Sequence, residues 1–356
     1  MGALKIAAAT LLVGLAGVGG GTASAAPGFL GRGHDPGVAV DGAGTAHVAW
    51  LAEAGDAGTL EYCQVPRGER ACSLRRSIPL SEDGFGKVQV LLPRAGTVQI
   101  VAPLLRPAAL VSSFDGGNTF AVATIGQDTP AIEQAIYGPG DFISLMSGSG
   151  PASFGRFNSD GSGPADLPVE FGSATESLET SLAPWGAGFV AFFSGLRARS
   201  TLWNGLGDPN LPESWVEGPR LGSADVPSAV GGRSGTWVAY VRRGRNKTYV
   251  RRLRSSGRLG AERRVVRDDP FDLAFAQGPR GDMALVWGTS SEEAMIVRSR
   301  NGRRWTRAKR LFRGNDPQDL RAALGPRGGW LVWDSNPGNA GMHPIRIAAL
   351  PRAPRR

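Results

Sequence analysis

Histidine and cysteine are scarce in this chain, with three of the first and two of the second in 356 residues. No H-x-x-x-H motif and no repeated paired-Cys spacing occurs, which argues against the usual zinc ligand sets. There is no G-x-S-x-G elbow, and no glycine-rich phosphate loop leads into a helix. The nucleophile-elbow hydrolases and the P-loop enzymes therefore find no support. Few windows carry a 3.6-residue apolar period, and after residue 25 no apolar run is long enough to cross a bilayer as a helix.

What is abundant is turn chemistry, with 52 Gly and 25 Pro. Met1–Ala25 reads as an export signal. Lys5 supplies a positive start, Ile6–Val18 an apolar stretch, and Ala23-Ser24-Ala25 a small-residue cleavage site. The expectation is a secreted, extracellular protein, free or held at the cell envelope, without a transmembrane segment and monomeric. Residues 26–350 are expected to form one domain and 351–356 a loose C-terminal tail. Cys63 and Cys72 lie in TLEYCQVPRGERACSL, where two strand-like runs flank a turn. A hairpin would bring the sulfurs together, and an oxidising compartment would join them as a disulfide.

A repeat governs the rest. Apolar runs end at Trp50, Ala102, Met146, Phe193, Tyr240, Trp287 and Trp333, spaced 52, 44, 47, 47, 47 and 46 residues apart. Each follows a Gly/Pro-bearing turn and an earlier strand, as in GVAVDGAG before Thr45 and DLRAALGPRG before Gly329. One or two more polar strands come after, such as TYVRRLRS and GAERRVV. Four strands per 40–50 residues is the pattern of an all-β propeller. The expected count is seven blades, with six as the alternative. The last unit is short, so Phe29–Gly33 is expected to supply its outer strand and join the two chain ends.

Ser113-Phe114-Asp115-Gly116-Gly117-Asn118-Thr119-Phe120 resembles the Asp-box, S-x-D-x-G-x-T-[FW], of the bacterial neuraminidase repeat (BNR) propellers. Ser113, Asp115, Gly117, Thr119 and Phe120 are the matching positions. Ser299–Trp305 is a degraded copy with Asn301 in place of Asp. The resemblance implies a sialidase-like fold, with the Asp holding turn amides and the aromatic packing between blades. Sialidases of this fold use an arginine triad, a Tyr–Glu pair and an Asp acid. No catalytic residue can be carried over. The first arginine's strand would be Gly28–Gly33, a poor match, and of Tyr62, Tyr137, Tyr240 and Tyr249 none has a Glu in a recognisable partner position.

Two other constellations stand out. An acid precedes the first strand of every unit: Asp35, Asp83, Asp128, Glu176, Asp225, Asp269 and Asp316. Two readings fit. The acids form a ring at a channel mouth that can hold Ca²⁺ or a cationic ligand, or each caps the turn entering its blade. Charge is also asymmetric, since residues 241–356 carry 26 Lys and Arg against 10 Asp and Glu, and residues 1–240 carry 14 against 21. Arg242, Arg243, Arg245, Arg251, Arg252, Arg254, Arg303 and Arg304 form a candidate polyanion patch. The leading functional expectation is a non-enzymatic scaffold that binds an extracellular glycan or another polyanion. A sialidase-like glycoside hydrolase and a propeller that binds an envelope protein are the alternatives. No further cofactor is expected.

Overall fold

A computed structural model of the chain describes residues 26–52, 58–82, 84, 86–104, 107–126, 132–138, 141–147, 152–171, 179–194, 198–242, 244–245, 247–266, 270–314, 316–335 and 343–353. The expected signal segment, and residues 354–356 of the expected tail, lie outside them.

The described residues form strands and one 3-10 turn, Pro212–Ser214. The chain opens with β1 (Gly28–Val40), β2 (Ala46–Ala52), β3 (Thr59–Val65) and β4 (Leu74–Pro79). A second sheet holds β5 (Gln89–Leu91), β6 (Val98–Pro103), β7 (Ala108–Ser113) and β8 (Ala121–Ile125). A third holds β9 (Ile132–Gly138), β10 (Phe142–Ser147), β11 (Ser153–Asn158) and β12 (Val169–Glu170). Next come β13 (Thr180–Trp185), β14 (Gly188–Phe193), β15 (Arg199–Trp203) and β16 (Val216–Glu217). The β17–β20 sheet comprises β17 (Ala224–Val230), β18 (Thr236–Arg242), β19 (Lys247–Leu253) and β20 (Arg263–Arg264). The β21–β24 sheet comprises β21 (Pro270–Gln277), β22 (Met283–Thr289), β23 (Glu293–Ser299) and β24 (Lys309–Arg313). The chain ends with β25 (Pro317–Gly325), β26 (Gly328–Ser335) and β27 (His343–Leu350).

All pairings are antiparallel, as short turns between successive strands require. The two chain ends meet in one seven-stranded sheet of order β25-β26-β27-β1-β2-β3-β4. Strand β1 does two jobs there. Its first half, Gly28–Gly33, pairs with β27, and its second half, His34–Val40, pairs with β2. The outer strand expected at Phe29–Gly33 is thus present.

Each repeated apolar run is the second strand of its unit, and Trp50, Ala102, Met146, Tyr240, Trp287 and Trp333 are fully buried. These strands are buried on both faces because a neighbouring sheet covers each side, so they read as continuous apolar runs rather than alternating ones. Last strands such as β8 and β20 are mostly exposed, which is why their sequences are polar. Apolar clusters fill the junctions between successive sheets. Leu273, Phe275 and Trp287 of β21–β22 pack on Trp237, Ala239 and Val250 of β18–β19. Trp330 and Val332 of β26 pack on Val48, Trp50 and Cys63 of β2–β3. No sheet buries both its faces alone, so the core depends on stacking. The first strands also touch in order, β1 against β5, β5 against β9, and onward to β25, which returns to β1. This all-β architecture is that of a β-propeller.

Cys63 and Cys72 form a disulfide across the β3–β4 hairpin. The Asp115 turn is tightly bonded. Asp115 Oδ1 accepts from Asn118 N at 2.9 Å and Thr119 N at 3.0 Å, and Oδ2 accepts from Thr119 Oγ1 at 2.7 Å. The Thr119 amide and hydroxyl hold its carboxyl well below the usual carboxylate range. Phe120 packs edge-on against Tyr62, with ring centroids 4.9 Å apart. Gly117 lies so close to Tyr62 that an added Cβ would fall 2.5 Å from its hydroxyl. At Ser299–Trp305 the same pattern recurs with fewer bonds: Ser299 Oγ accepts from Gly302 N at 2.8 Å, Asn301 Oδ1 accepts from Arg303 N at 3.0 Å, and Gly302 sits against the Trp237 indole.

Candidate functional site

Two polar cavities are built by this frame. The first is a central channel of about 410 Å³ lined by residues of β1, β5, β9, β13, β17, β21 and β25 and the residues next to them. Its charged wall is Lys87, Glu133, Glu179, Asp272, Asp319 and Arg321. Bulges place several of these groups. Pairing slips between His34 and Gly37, Asp225 and Ser228, Pro270 and Asp272, and Gln318 and Arg321. Asp35, Val226 and Asp319 take positive φ angles of 53°, 51° and 45° at these slips, and Asp316, just before β25, takes 30°. A bulge adds one residue to a strand and re-aims the side chains that follow.

Of the seven acids read from the sequence, the described ones are not in the lining. Asp35, Asp225 and Asp316 are described, and none of them lines the channel. Asp35 accepts from or shares a proton with His34 Nδ1 at 2.9 Å, and its carbonyl takes Val88 N at 3.4 Å. Asp316 Oδ2 accepts from Gln318 Nε2 at 3.2 Å. Asp83, Asp128, Glu176 and Asp269 lie outside the described residues. The lining carboxylates sit further along. Lys87, Glu133, Glu179, Val226, Asp272 and Asp319 recur at intervals of 46 or 47 residues and so occupy one position of the repeat. That period was the available signal for finding them. Among the described residues no three of His, Cys, Asp or Glu are grouped to hold a metal ion.

Within the channel Lys87 Nζ is ion-paired with Glu133. Arg321 Nη2 lies 4.0 Å from Asp319 Oδ1. Asp272 is tied to backbone, accepting from Leu273 N and Leu320 N at 2.6 Å each. Gln134 Oε1 accepts from Ser181 Oγ and Leu182 N, and Ser181 Oγ accepts from Ala229 N, which tethers β9 to β13 and β13 to β17. Glu179 differs. Burial pushes its carboxyl up to about 7, the nearby Lys87 opposing that shift and Asp272 and Glu133 adding to it.

The second cavity, about 460 Å³, lies between the β17–β20 and β21–β24 sheets, lined by Trp237, Arg252, Arg254, Ser255, Gly260, Ala261, Arg263 and Arg303. Register explains which arginines reach it. Val238 pairs with Arg251 and Trp237 with Arg252, and successive strand residues point to opposite faces. Arg252 therefore shares a face with Trp237, its guanidinium 6.0 Å from the ring centroid. Arg251 faces the other way, toward a cleft that contains Leu202 and Glu217. Arg242 is matched by Glu262 at 2.6 Å and stacks over Tyr249. Arg263 Nη1 donates to the Arg303 carbonyl at 2.7 Å, joining the two sheets. The patch read from the sequence is thus split over two faces. Arg252, Arg254 and Arg303 converge, Arg263 joins them, Arg245 and Arg304 are exposed beside the β18–β19 and β23–β24 turns, and Arg243 lies outside the described residues.

A tyrosine–carboxylate pair absent from the sequence reading also appears. Tyr240 Oη donates to Glu262. The ring is fully buried, and burial followed by the Glu262 carboxylate raises its hydroxyl above the ordinary value of 10.0, the opposite of what an activated nucleophile needs. The histidines are structural neighbours of acids. His47 Nδ1 lies 2.6 Å from Tyr62 Oη within the core. His34 and His343 lie in β1 and β27, and His343 Nδ1 is 3.7 Å from Asp334.

No family model matches the chain, and no curated protein matches it. Solved propellers do. The structure of BBS1N in complex with ARL6DN gives a TM-score of 0.56 at 11% identity, covering 93% of this chain and 96% of that one. The WD40 domain of Toxoplasma gondii coronin gives 0.54 at 9% identity, covering 90% and 85%. A lectin of Aleuria aurantia, in complex with Fucα1-6GlcNAc, gives 0.51 at 14% identity, covering 80% and 96%. What this chain shares with all three is the β-propeller fold.

Proposed function

We propose that this chain is an exported, non-enzymatic seven-bladed β-propeller that binds an extracellular anionic glycan in the arginine cleft between its fifth and sixth blades. The blade count is supported by the cyclic order of first strands and by the double use of β1, which completes the last blade and opens the first. The bonding of the Asp115 turn fits an Asp-box. The observation that carries the binding reading is the convergence of Arg252, Arg254, Arg263 and Arg303 on one cavity of about 460 Å³.

The physical argument is one of uncompensated charge. Arg242 has Glu262, whereas no carboxylate among the described residues pairs with the four cleft arginines. Guanidinium groups bind carboxylates and sulfates through paired N–H donors, each such bond contributing about 1.5–3 kcal/mol. Trp237 fixes the Arg252 fork from behind, and Gly302 lets the Ser299–Trp305 turn close against Trp237. Glycan binding on this fold has a precedent in the Aleuria aurantia lectin. The four arginines favour acidic sugars over neutral ones.

A glycan and polyanion array at about 50 and about 150 mM salt tests the reading. Retention of one uronate-bearing or sulfated glycan at the higher salt supports it. Binding to every polyanion that collapses with salt, or to neutral glycans alone, overturns the cleft as a shaped site.

A further inference from the structure

The central channel is separate from the arginine cleft, and its chemistry is opposite. We propose that it holds a small organic cation, a primary or secondary amine, seated against Glu179 and Asp272 with the Thr180 hydroxyl and the Phe271 ring.

Charge accounting comes first. Of the four lining carboxylates, Glu133 is neutralised by Lys87, and Asp319 faces Arg321 at 4.0 Å. That leaves Glu179 and Asp272 with no ion pair of their own among the described residues, Lys87 and Arg321 acting on Glu179 only from beyond ion-pair distance. Asp272 already accepts two backbone N–H groups, so one unoccupied carboxylate, Glu179, remains beside it. A cation that carries N–H donors satisfies both acids, whereas an anion is repelled by them.

The second observation is independent of the acids. Thr180 lines the same cavity, is only 6% exposed, and its hydroxyl has no hydrogen-bond partner among the described residues. A buried hydroxyl left unpaired is costly and in a built site is met by a ligand. The third is Phe271. Its ring lines the channel yet stays 44% exposed, and Gly288 beneath it leaves room for the ring where a Cβ would fall 2.7 Å away. An open aromatic face beside carboxylates attracts ammonium groups through the ring quadrupole. A cavity of about 410 Å³ suits a molecule of metabolite size rather than a polymer.

Protonation gives the proposal a signature. Glu179 is faced by Lys87 from β5's edge, Glu133 from β9, Asp272 from β21 and Arg321 from β25. Its carboxyl titrates near 7 when the channel is open, and a bound ammonium favours the ionised form. Amine binding at pH 6.5 therefore releases a proton, and affinity rises as pH passes 7.

Isothermal titration of the intact chain with putrescine, spermidine and cadaverine, with xylitol as the neutral control, is the test. The expected result is binding of at least one of the amines below about 1 mM, with the apparent heat differing between buffers of unlike ionisation enthalpy. Glu179→Gln should weaken binding about tenfold and Thr180→Val several-fold, with the melting temperature reporting that both variants fold. Failure of all three amines, equal binding of xylitol, or binding that survives Glu179→Gln overturns the proposal. Should that variant not fold, the absence of proton release with the unmodified chain overturns it alone. None of these outcomes depends on whether the arginine cleft binds a glycan.

Discussion

The arginine cleft and the central channel are cavities of nearly equal size, about 460 and 410 Å³, made by the same kind of strand. One carries charge of a single sign on exposed side chains. The other carries both signs on half-buried ones. The cleft lies where two sheets meet at their outer strands and solvent enters freely. The channel lies where the first strands face inward and its charged side chains are half-buried. The first should therefore answer to salt and the second to pH.

The largest effect that can separate them is on stability. Glu179 titrates near 4.5 when unfolded and near 7 when folded. Below pH 4.5 it is protonated in both states and contributes nothing. Between 4.5 and 7 the folded state binds the extra proton, so raising the pH removes stability, and above 7 the full penalty of roughly 3 kcal/mol is present. Glu179→Gln is expected to match the parent's melting temperature at pH 4.5 and exceed it at pH 8, while glycan binding is unchanged. A constant offset across that range would mean that the channel does not bury the carboxylate.

Arg252→Ala with Arg263→Ala comes next. Loss of two charge-assisted contacts predicts about a hundredfold weaker binding of an anionic glycan, measured by titration. Amine binding in the channel should not move. Gly302→Ala strikes the cleft through its support. The new Cβ would lie 2.3 Å from the Trp237 indole at a φ of 72°, so denaturant unfolding should register a loss of about 2 kcal/mol. The smallest expected effect is ionic. Raising salt from about 50 to about 500 mM should weaken the cleft about tenfold and the channel by less than half that.

The fold was largely legible because its signal is carried by packing. A strand covered on both faces must be apolar, so all the second strands announced themselves at a fixed period. The strand Phe29–Gly33 and the hairpin that brings Cys63 to Cys72 followed from the same geometry. The site was legible only in part. The turn acids were a regular series, but the channel wall lies further along, at Glu133, Glu179, Asp272 and Asp319, and a bulge lies at or beside three of these, Glu133, Asp272 and Asp319, an extra residue that leaves no mark in composition. The cleft erred in a simpler way. Neighbouring Arg251 and Arg252 on one strand cannot share a face, and Arg263 was passed over because its strand is two residues long.

Strand β1 has a consequence for how the molecule is made. Gly28 pairs with Ile347, and the Trp330 indole donates to the Gly44 carbonyl across a sequence separation of 286 residues. During synthesis β1 cannot pair with β27 until β27 has emerged, so these contacts belong to the slow, non-local end of folding. Until then an unpaired edge on each end is open to another chain. A sheet closed by β1 and β27 is therefore most exposed to misassembly just before β27 joins it.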